Sequence, residues 1–300
     1  MVIACLDAHR DQFGVGPACQ VLTASGVPIA ASTYYAAKKR PPSARARRDA
    51  ALLTQIKRVY KESGEVYGAR KVWLQLHREG TGAARCTVER LMRQAGLAGV
   101  RRGRRTRTTI PAGRAAWPPD LVNRNFHAAA PNRLRVADLT YVPLSPGGFA
   151  YVAFIIDAFS RMIAGWKAAS HMRTSLALDA LEMAISARLR ASQSVAGAIH
   201  HSDRGSQYLA IRYTSRLAEA GAITSAGSKG DSYDNALAET IIGLRKAELI
   251  AHRGPWHSLS QVEAATAWWA GWFNNRRLYG PLGDIPPAEY EQNWLEGKAP

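Results

Sequence analysis

LRVADLTYVPLSPGGFAYVAFIIDAFSRMIAGWKAA, residues 134–169, is the stretch that decides the fold. Three runs rich in β-branched and aromatic residues, 134–144, 148–159 and 162–169, are joined by the turn-forming sequences SPGG and FSR. Strands joined by such short connections pair with their neighbours in sequence. The stretch therefore predicts three strands of an antiparallel meander.

The segments that follow alternate between helical and strand patterns. They are a helix at 174–191, a short strand GAIH at 197–200, a helix near 213–220, a polar loop at 227–235, a helix at 236–250 and a tryptophan-rich helix within 258–277. A meander followed by this alternation is the element order of a ribonuclease-H-like domain. We therefore predict an α/β core with a mixed five-stranded sheet and helices.

The part of the chain before the meander is predicted to be helical. Two short helices at 13–37 surround a turn at Ser25, with Ser32 placed to cap the second helix. A second helical unit at 50–97 contains a GTG turn at 80–82, which fits either a helix-turn-helix or a small bundle without DNA contacts.

Two proline-containing basic stretches, 38–48 and 100–120, are predicted linkers. The resulting domain division is a helical segment with its linker at 1–48, a helix-turn-helix-like module at 49–99, a basic linker at 100–131 and the catalytic core at 132–300.

The net charge of +17 is concentrated in the first part of the chain. Residues 1–125 contain 23 Lys and Arg against 8 Asp and Glu, whereas residues 126–300 contain 17 against 15. Such a basic segment favours a polyanionic partner, because each phosphate that it neutralises releases condensed counterions. The charge therefore predicts nucleic-acid binding, although a solvated basic surface has the same composition.

The cysteines and the hydropathy exclude several classes of protein. Cys5, Cys19 and Cys86 are odd in number and share no metal-ligand spacing, which argues against a disulfide framework and a structural zinc site. No signal-peptide pattern is present, and no run approaches the ~18 apolar residues of a membrane span. We expect a cytoplasmic, nucleoid-associated protein without a membrane partner.

Three acidic residues lie at positions where an acidic side chain is either costly or typical of a ligand-binding site. Asp138 lies within the first strand, where a buried carboxylate is costly unless it is paired or binds a metal. Asp203 follows the fourth strand, at the sheet edge where open α/β sheets bind ligands, and Glu239 opens a helix after the polar loop. Oxygen ligands alone suit Mg²⁺ or Mn²⁺, and two ions ~3.5–4 Å apart would activate the attacking oxygen and stabilise the leaving oxygen of a phosphodiester.

Helical geometry suggests a basic partner for Glu239. At ~100° per residue, Lys246 lies ~20° from the face of Glu239, whereas Arg245 lies ~120° away. We therefore predict that Lys246 contacts a DNA phosphate near the cut, although an ordinary exposed lysine has the same spacing.

Four motifs together resemble one family: RVADLTYV at 135–142, HSDRGSQY at 201–208, KGDSYDNALAET at 229–240 and NNRRLYGPLGDIPP at 274–287. They are similar to the signatures of the catalytic (OrfB-type) subunit of two-frame bacterial insertion-sequence transposases, an IS-three-like family related to retroviral integrases in the DDE superfamily. The resemblance covers essentially the whole chain. It implies that Asp138, Asp203 and Glu239 are the catalytic and metal-binding triad, with the basic residue at Lys246. Two positions depart from the pattern, since Val136 replaces a tryptophan and Tyr279 a histidine.

The segment HHSDRGSQY, 200–208, is compatible with a metal-binding histidine pair, a phosphate-binding turn or a single catalytic carboxylate, and the resemblance selects the carboxylate of Asp203. His200 is then expected to point into the sheet. His201 is either structural or close to the site or the DNA. Asp234 is the alternative third acid, and Asp157 is either an acid that supports the site or the end of a strand, or a solvated turn residue.

Further DNA contacts are predicted from positive charge near the cleft and in the linker. Together with Lys246, the predicted DNA-binding residues are Arg204, Lys229, Arg101, Arg102, Arg104 and Arg105.

The resemblance implies a transposase that cleaves phosphodiesters at the ends of an insertion sequence and transfers the strands to a target, with Mg²⁺ or Mn²⁺ and two ions as the expected cofactor. A hydrolytic nuclease or resolvase of the same fold and a catalytically silent DNA-binding regulator are the alternatives. The implied partners are the DNA of the element ends and of the target, further copies of the chain in a synaptic complex, and an upstream-frame (OrfA-type) protein, separate or fused.

Overall fold

The computed structural model describes residues 2–101, 103, 120–122, 125–203, 206–227 and 236–298. By its internal contacts the chain divides into two compact units, Met1–Gln55 and Ile56–Pro300. None of the helices within the described ranges is long and apolar enough to cross a lipid bilayer.

The first unit has a small core built by three helices. These are α1 (Val2–Phe13), α2 (Val15–Ala24) and α3 (Ala31–Lys39). Leu6, Cys19 and Tyr34 pack together at their centre, and the Tyr34 hydroxyl donates a 2.7 Å hydrogen bond to Asp7.

Helices α2 and α3 confirm the two short helices predicted at 13–37. Helix α1 was not predicted. The predicted cap is wrong, because α3 begins at Ala31 and Ser32 therefore lies inside the helix rather than ahead of it. Ala30 occupies the cap position, and no side chain forms a cap hydrogen bond there.

Helix α4 (Ala44–Glu62) begins within the stretch that the sequence predicts to be a linker. The Ser43 hydroxyl accepts a 3.1 Å hydrogen bond from the Ala46 backbone N–H and so satisfies a free donor of the first turn. Pro41 and Pro42 precede this cap, so they delay the helix without breaking it.

The predicted helix pair around residues 80–82 is present as α5 (Ala69–Arg78) and α6 (Arg85–Gln94). Each helix buries one apolar face, represented by Val72 and Leu76 on α5 and by Val88 on α6. Gly80, with φ of +81°, ends α5, where the Thr81 N–H donates to the Leu76 carbonyl.

The sheet confirms the predicted mixed five-stranded architecture. Its strands are β1 (Leu134–Pro143), β2 (Phe149–Asp157), β3 (Ile163–Ala169), β4 (Ile199–Ser202) and β5 (Ile223–Ala226). Their order across the sheet is β3-β2-β1-β4-β5. The meander β1-β2-β3 is antiparallel, whereas β4 and β5 are parallel to β1. Strand β1 is therefore central and is paired along both edges.

The helices that follow the meander are α7 (Thr174–Arg190), α8 (Ser206–Leu209), α9 (Ile211–Glu219), α10 (Ala236–Arg245), α11 (Ala251–Arg253), α12 (Leu259–Asn275) and α13 (Pro287–Leu295). Of these, α7, α9, α10 and α12 contact the sheet. Residues of α7 and α9 pack on Ala137, Ala153 and Ile155. Helix α10 contacts β1 and β2, and α12 contacts β3.

The helix predicted at 236–250 is continuous but changes its winding, because residues 246–250 form a π-helical turn. Glu248 in this turn is buried and pairs with buried Arg277, whose Nε donates to Oε2 at 2.9 Å. The Trp269 indole N–H lies 3.4 Å from the same carboxylate. A buried carboxylate requires such partners, and the widened turn places Glu248 within reach of Arg277 and Trp269.

The segment after α12 contacts α5 and the residues just before it. The Leu278 N–H donates to the Tyr67 hydroxyl at 2.7 Å, and Arg70 Nη1 donates to Asp284 at 2.9 Å. These hydrogen bonds link residues that lie more than two hundred positions apart in sequence.

Candidate active site

Asp138 lies on the central strand, on the face of the sheet opposite to α7. Its neighbours Ala137 and Leu139 pack with α7, so the alternation of a strand directs Asp138 to the α10 side. Across the ladder Asp138 pairs with Phe154 of β2. The carboxyl group is half-buried, and its Oδ1 accepts a 2.7 Å hydrogen bond from the Leu139 N–H.

Asp203 reaches the same place from the parallel strand β4. The register pairs Ala137 with Ser202, so the next residue of each strand is an aspartate, Asp138 on β1 and Asp203 just past β4. Asp203 is exposed. Strand pairing alone therefore brings two carboxylates together at one edge of the fold.

Glu239 approaches from above the sheet, in the first turn of α10. Its side chain is half-buried, and α10 packs on β1 and β2. The first turn of a helix carries partial positive charge from its free N–H groups, which favours a carboxylate there.

The electrostatics of Asp138 reflect this convergence. Burial, together with the negative charges of Asp203 and Glu239, raises the pKa of Asp138 well above its usual value. The Leu139 N–H and the Lys246 ammonium lower the pKa of Asp138 in part. The three acids and the lysine therefore sense one another across a single cleft.

Lys246 begins the π-helical turn, and its side chain is exposed. Its Nζ lies 5.8 Å from the centroid of the Tyr141 ring, on the same strand as Asp138. Helix α10 is α-helical through Arg245 and Lys246 is the first residue of the widened turn, so the α-helical spacing from Glu239 holds up to Lys246.

Both histidines of HHSDRGSQY are buried in the interior of the protein. His200 is buried with its Nε2 2.8 Å from the Tyr213 hydroxyl, and burial followed by the charge of Arg135 lowers the pKa of His200 to about 3. His201 is also buried, with Nδ1 2.9 Å from the Ser225 hydroxyl. The structural interpretation of both residues therefore holds.

Tyr208, the last residue of the motif HSDRGSQY, also borders the site. Its hydroxyl is buried and makes no hydrogen bond to any residue that the structure describes. Burial, then the charges of Asp203, Tyr213 and Asp138, raises the pKa of Tyr208 well above its usual value. The polar end of this tyrosine therefore borders the acid pair. Its place five residues after Asp203 was the available sequence signal.

Asp157 is a buried acid at the end of a strand, as one interpretation predicts, and the solvated-turn interpretation is wrong. It is fully buried at the end of β2, where Oδ1 accepts from the Ser160 N–H and Oδ2 from the Asn132 N–H. Arg188 Nη2 lies 3.6 Å from its carboxylate and also pairs with Glu291 of α13. Asp157 therefore fixes the opposite end of the sheet.

The predicted DNA contacts are only partly described. Arg101 is exposed and lines a shallow groove with Ala247, which belongs to the π-helical turn, and His252, which follows it. The remaining predicted contacts, together with the alternative third acid, lie outside the described residues: Arg102, Arg104, Arg105, Arg204, Lys229 and Asp234.

The donor set of the cleft consists of oxygen atoms, which suits a hard divalent cation. Within the described ranges, no three histidine, cysteine or acidic side chains stand close enough to surround one ion. Cys5, Cys19 and Cys86 are free cysteines.

A mixed 3-2-1-4-5 sheet with acids on β1, beyond β4 and on α10 defines the ribonuclease-H-like class of polynucleotidyl transferases. Comparisons with known proteins agree with this class. Integrase core domain families match residues 128–232 and 221–287, and an HTH-like domain family matches residues 46–105. The last match favours a helix-turn-helix over a plain helical bundle.

Curated relatives identify the family. A Mycobacterium tuberculosis protein named as the transposase of insertion sequence element IS986/IS6110 is 57% identical over 266 residues, 88% of this chain and 95% of that protein. The transposase of IS629 from Shigella sonnei is 52% identical over 96% of this chain and 94% of its own length. The chain belongs to the family of insertion-sequence transposases that carry an integrase core domain.

Solved structures show weaker similarity. The catalytic core domain of HTLV-2 integrase in complex with magnesium aligns with a TM-score of 0.41 and 16% identity, over 55% of this chain and 99% of that one. The simian T-cell lymphotropic virus intasome aligns with a TM-score of 0.45 and 15% identity, over 75% of this chain and 70% of that one.

Proposed function

We propose that Asp138, Asp203 and Glu239 are the catalytic triad of this transposase. The observation that carries the proposal is the convergence of three carboxylates, from β1, from the end of β4 and from α10, on a cleft where two of them raise the pKa of the third. Such mutual repulsion is a cost in the free protein, and proteins retain it where a cation offsets it.

Mg²⁺ or Mn²⁺, as one or two ions, fits this cleft. The donors are carboxylate oxygens, and the Tyr208 hydroxyl beside them has no partner among the described residues and is available to a water molecule or a phosphate oxygen. Asp138, Asp203 and Glu239 would hold the ions, which when bound would activate the attacking oxygen and stabilise the leaving oxygen.

The reaction is an in-line displacement at phosphorus, first by water and then by a DNA 3′-hydroxyl. A new P–O bond forms to the attacking oxygen, the bond to the 3′ oxygen of the leaving strand breaks, and that oxygen takes up a proton. Lys246 contributes by holding a phosphate next to the cut, where its ammonium offsets the charge of the phosphate oxygens.

DNA binding beyond the cleft is assigned to basic residues on the same side of the protein. Arg101 contributes from the groove beside the π-helical turn, and the helix-turn-helix-like module supplies further contacts. We further propose contacts from the basic residues outside the described ranges: Arg102, Arg104, Arg105, Arg204 and Lys229. The protein acts in the bacterial cytoplasm on chromosomal DNA, in a synaptic complex with further copies and with an upstream-frame protein.

The test is nicking and joining of a labelled duplex that ends in the terminal repeat of the element, with Mg²⁺ or Mn²⁺. Asp203→Asn and Glu239→Gln should abolish both reactions. Glu219→Gln, at an exposed acid on α9, is the matched control and should leave them unchanged.

Each outcome selects one function. Cutting and joining that both disappear in the two triad variants support the transposase. Cutting without joining identifies a nuclease of the same fold. Duplex binding with neither reaction, even in the fusion with the upstream frame, identifies a silent DNA-binding regulator and overturns the proposal.

A further inference from the structure

Two aromatic side chains are exposed at the hairpin end of β1 and β2. The exposed fraction of Tyr141 is 44% and that of Phe149 is 46%, although both residues belong to the sheet. Their ring centroids lie 5.3 Å apart at an interplanar angle of 87°, and Phe149 also approaches Tyr151 at 6.3 Å. We call Tyr141 and Phe149 the aromatic pair.

Lys246 links the aromatic pair to the candidate active site. Tyr141 follows Asp138 by three residues on β1, about 10 Å along the strand at ~3.4 Å per residue, and this odd offset places its side chain on the α7 face, opposite to that of Asp138. The Lys246 ammonium lies 5.8 Å from the Tyr141 ring and also acts on the carboxyl group of Asp138. One cation therefore serves both the acids and the aromatic pair.

The contacts within the hairpin do not use all of this ring surface. Phe149 pairs across the ladder with Pro143 at the end of the strands, and Tyr141 pairs with Tyr151. Cross-strand contacts of this kind stabilise a hairpin, yet nearly half of each exposed ring still faces water. That surface, bordered by an ammonium, suits a ligand with a flat π face attached to an anion.

A nucleotide has this combination of groups, and a purely apolar partner would gain nothing from Lys246. The bases of a duplex stack on one another, so only an unpaired base can present its face to a protein ring. Lys246 contacts the Tyr141 ring and also acts on the carboxyl group of Asp138, which restricts the ligand further, to the strand that is being cut or joined.

We propose that Tyr141 and Phe149 form a stacking surface for an unpaired DNA base beside the reacting phosphate, with Lys246 on the phosphate of that nucleotide. This assignment rests on the proposed function for its biological setting. The stacking itself is a binding property that does not require catalysis.

The test compares the binding of a fluorescein-labelled single-stranded oligonucleotide of mixed sequence with that of a duplex of equal length, using the full chain. Tyr141→Leu and Phe149→Leu keep apolar bulk and remove the π face. Each should weaken single-strand binding roughly tenfold and leave duplex binding unchanged. Tyr141→Phe should bind like the wild type, as should Ile211→Ala, which alters a side chain 82% exposed on α9.

A thermal melt of each variant establishes that it is folded. Equal weakening of single-strand and duplex binding, or no weakening in either leucine variant, would overturn the proposal. Loss of single-strand binding in Tyr141→Phe would also overturn it, because the hydroxyl and not the ring face would then be responsible.

A second measurement uses cleavage of the terminal-repeat duplex with paired or mismatched bases beside the cut. The leucine variants should cleave the paired substrate roughly tenfold more slowly and the mismatched substrate nearly normally, because the mismatch has already freed the base. Equal defects on both substrates would contradict the assignment. If the wild type cleaves neither substrate, the proposed function fails, and the binding comparison still decides the stacking surface.

Discussion

Replacing Gly165 by alanine should push α7 and the sheet slightly apart and destabilise the protein. Gly165 is buried in β3 opposite Ile155, and α7 crosses it so closely that its missing side chain is part of the packing. A Cβ at this position would lie 2.7 Å from the Ala184 backbone nitrogen and 2.9 Å from the Ala184 Cβ, and closer still to the carbonyl oxygen of Ala180. Backbone atoms of a helix cannot rotate away as a flexible side chain can.

The cost follows from the displacement that is needed. Comfortable contacts begin at about 3.5 Å, so α7 or β3 must move by roughly 1 Å, in a core where overpacking costs about 1–3 kcal/mol. Alanine recovers about 0.5–1 kcal/mol by restricting the unfolded chain. We therefore expect Gly165→Ala to lower the free energy of unfolding by about 1–2 kcal/mol.

Gly271→Ala is the matched control. Gly271 is exposed on α12, and nothing lies within 4 Å of the Cβ that it would gain. Because alanine is the better helix former, the same chemical change should here raise the free energy of unfolding by about 1 kcal/mol. Urea unfolding followed by tryptophan fluorescence measures both variants. Equal stabilities, or a stabilised Gly165→Ala, would refute the packing argument.

Two further perturbations test buried charge. Because His200 is neutral when folded, its contribution to stability is complete above its unfolded pKa of ~6.5 and is lost as the pH falls towards the folded pKa of about 3. Between pH 6.5 and pH 5 the wild type should lose about 2 kcal/mol more than His200→Gln in urea unfolding, and parallel pH profiles would contradict this. Glu248→Gln leaves the buried guanidinium of Arg277 without its carboxylate and should cost about 3–5 kcal/mol. Glu289→Gln, at a half-exposed ion pair, should cost under ~1 kcal/mol, and a similar loss in both variants would show that burial does not set the difference.

The sequence predicts the elements whose pattern is local. The three strands of the meander and α7 follow from their apolar periodicity, and the turn between α5 and α6 follows from its glycines. The placement of Asp138 on a strand and of Glu239 in a first helical turn was predicted in the same way. These features depend on residues within a few positions of one another.

Features that depend on distant partners were missed. Asp157 could be read as a turn residue because Arg188, which makes its burial tolerable, comes from a different helix. The π-helical turn at 246–250 exists where Glu248 meets Arg277, which no local pattern reveals. The unsatisfied hydroxyl of Tyr208 likewise becomes visible only when Asp203 and Asp138 are brought beside it.

The contacts of the segment after α12 have a genetic consequence. Arg277, Leu278 and Asp284 contribute nothing to the cleft chemistry, yet they neutralise Glu248 and anchor Tyr67 and Arg70. A gene copy interrupted just before these codons would still encode every acid of the triad while losing the supports of the helix that carries Glu239. An intact set of acidic codons is therefore a poor measure of whether such a copy still encodes a folded site.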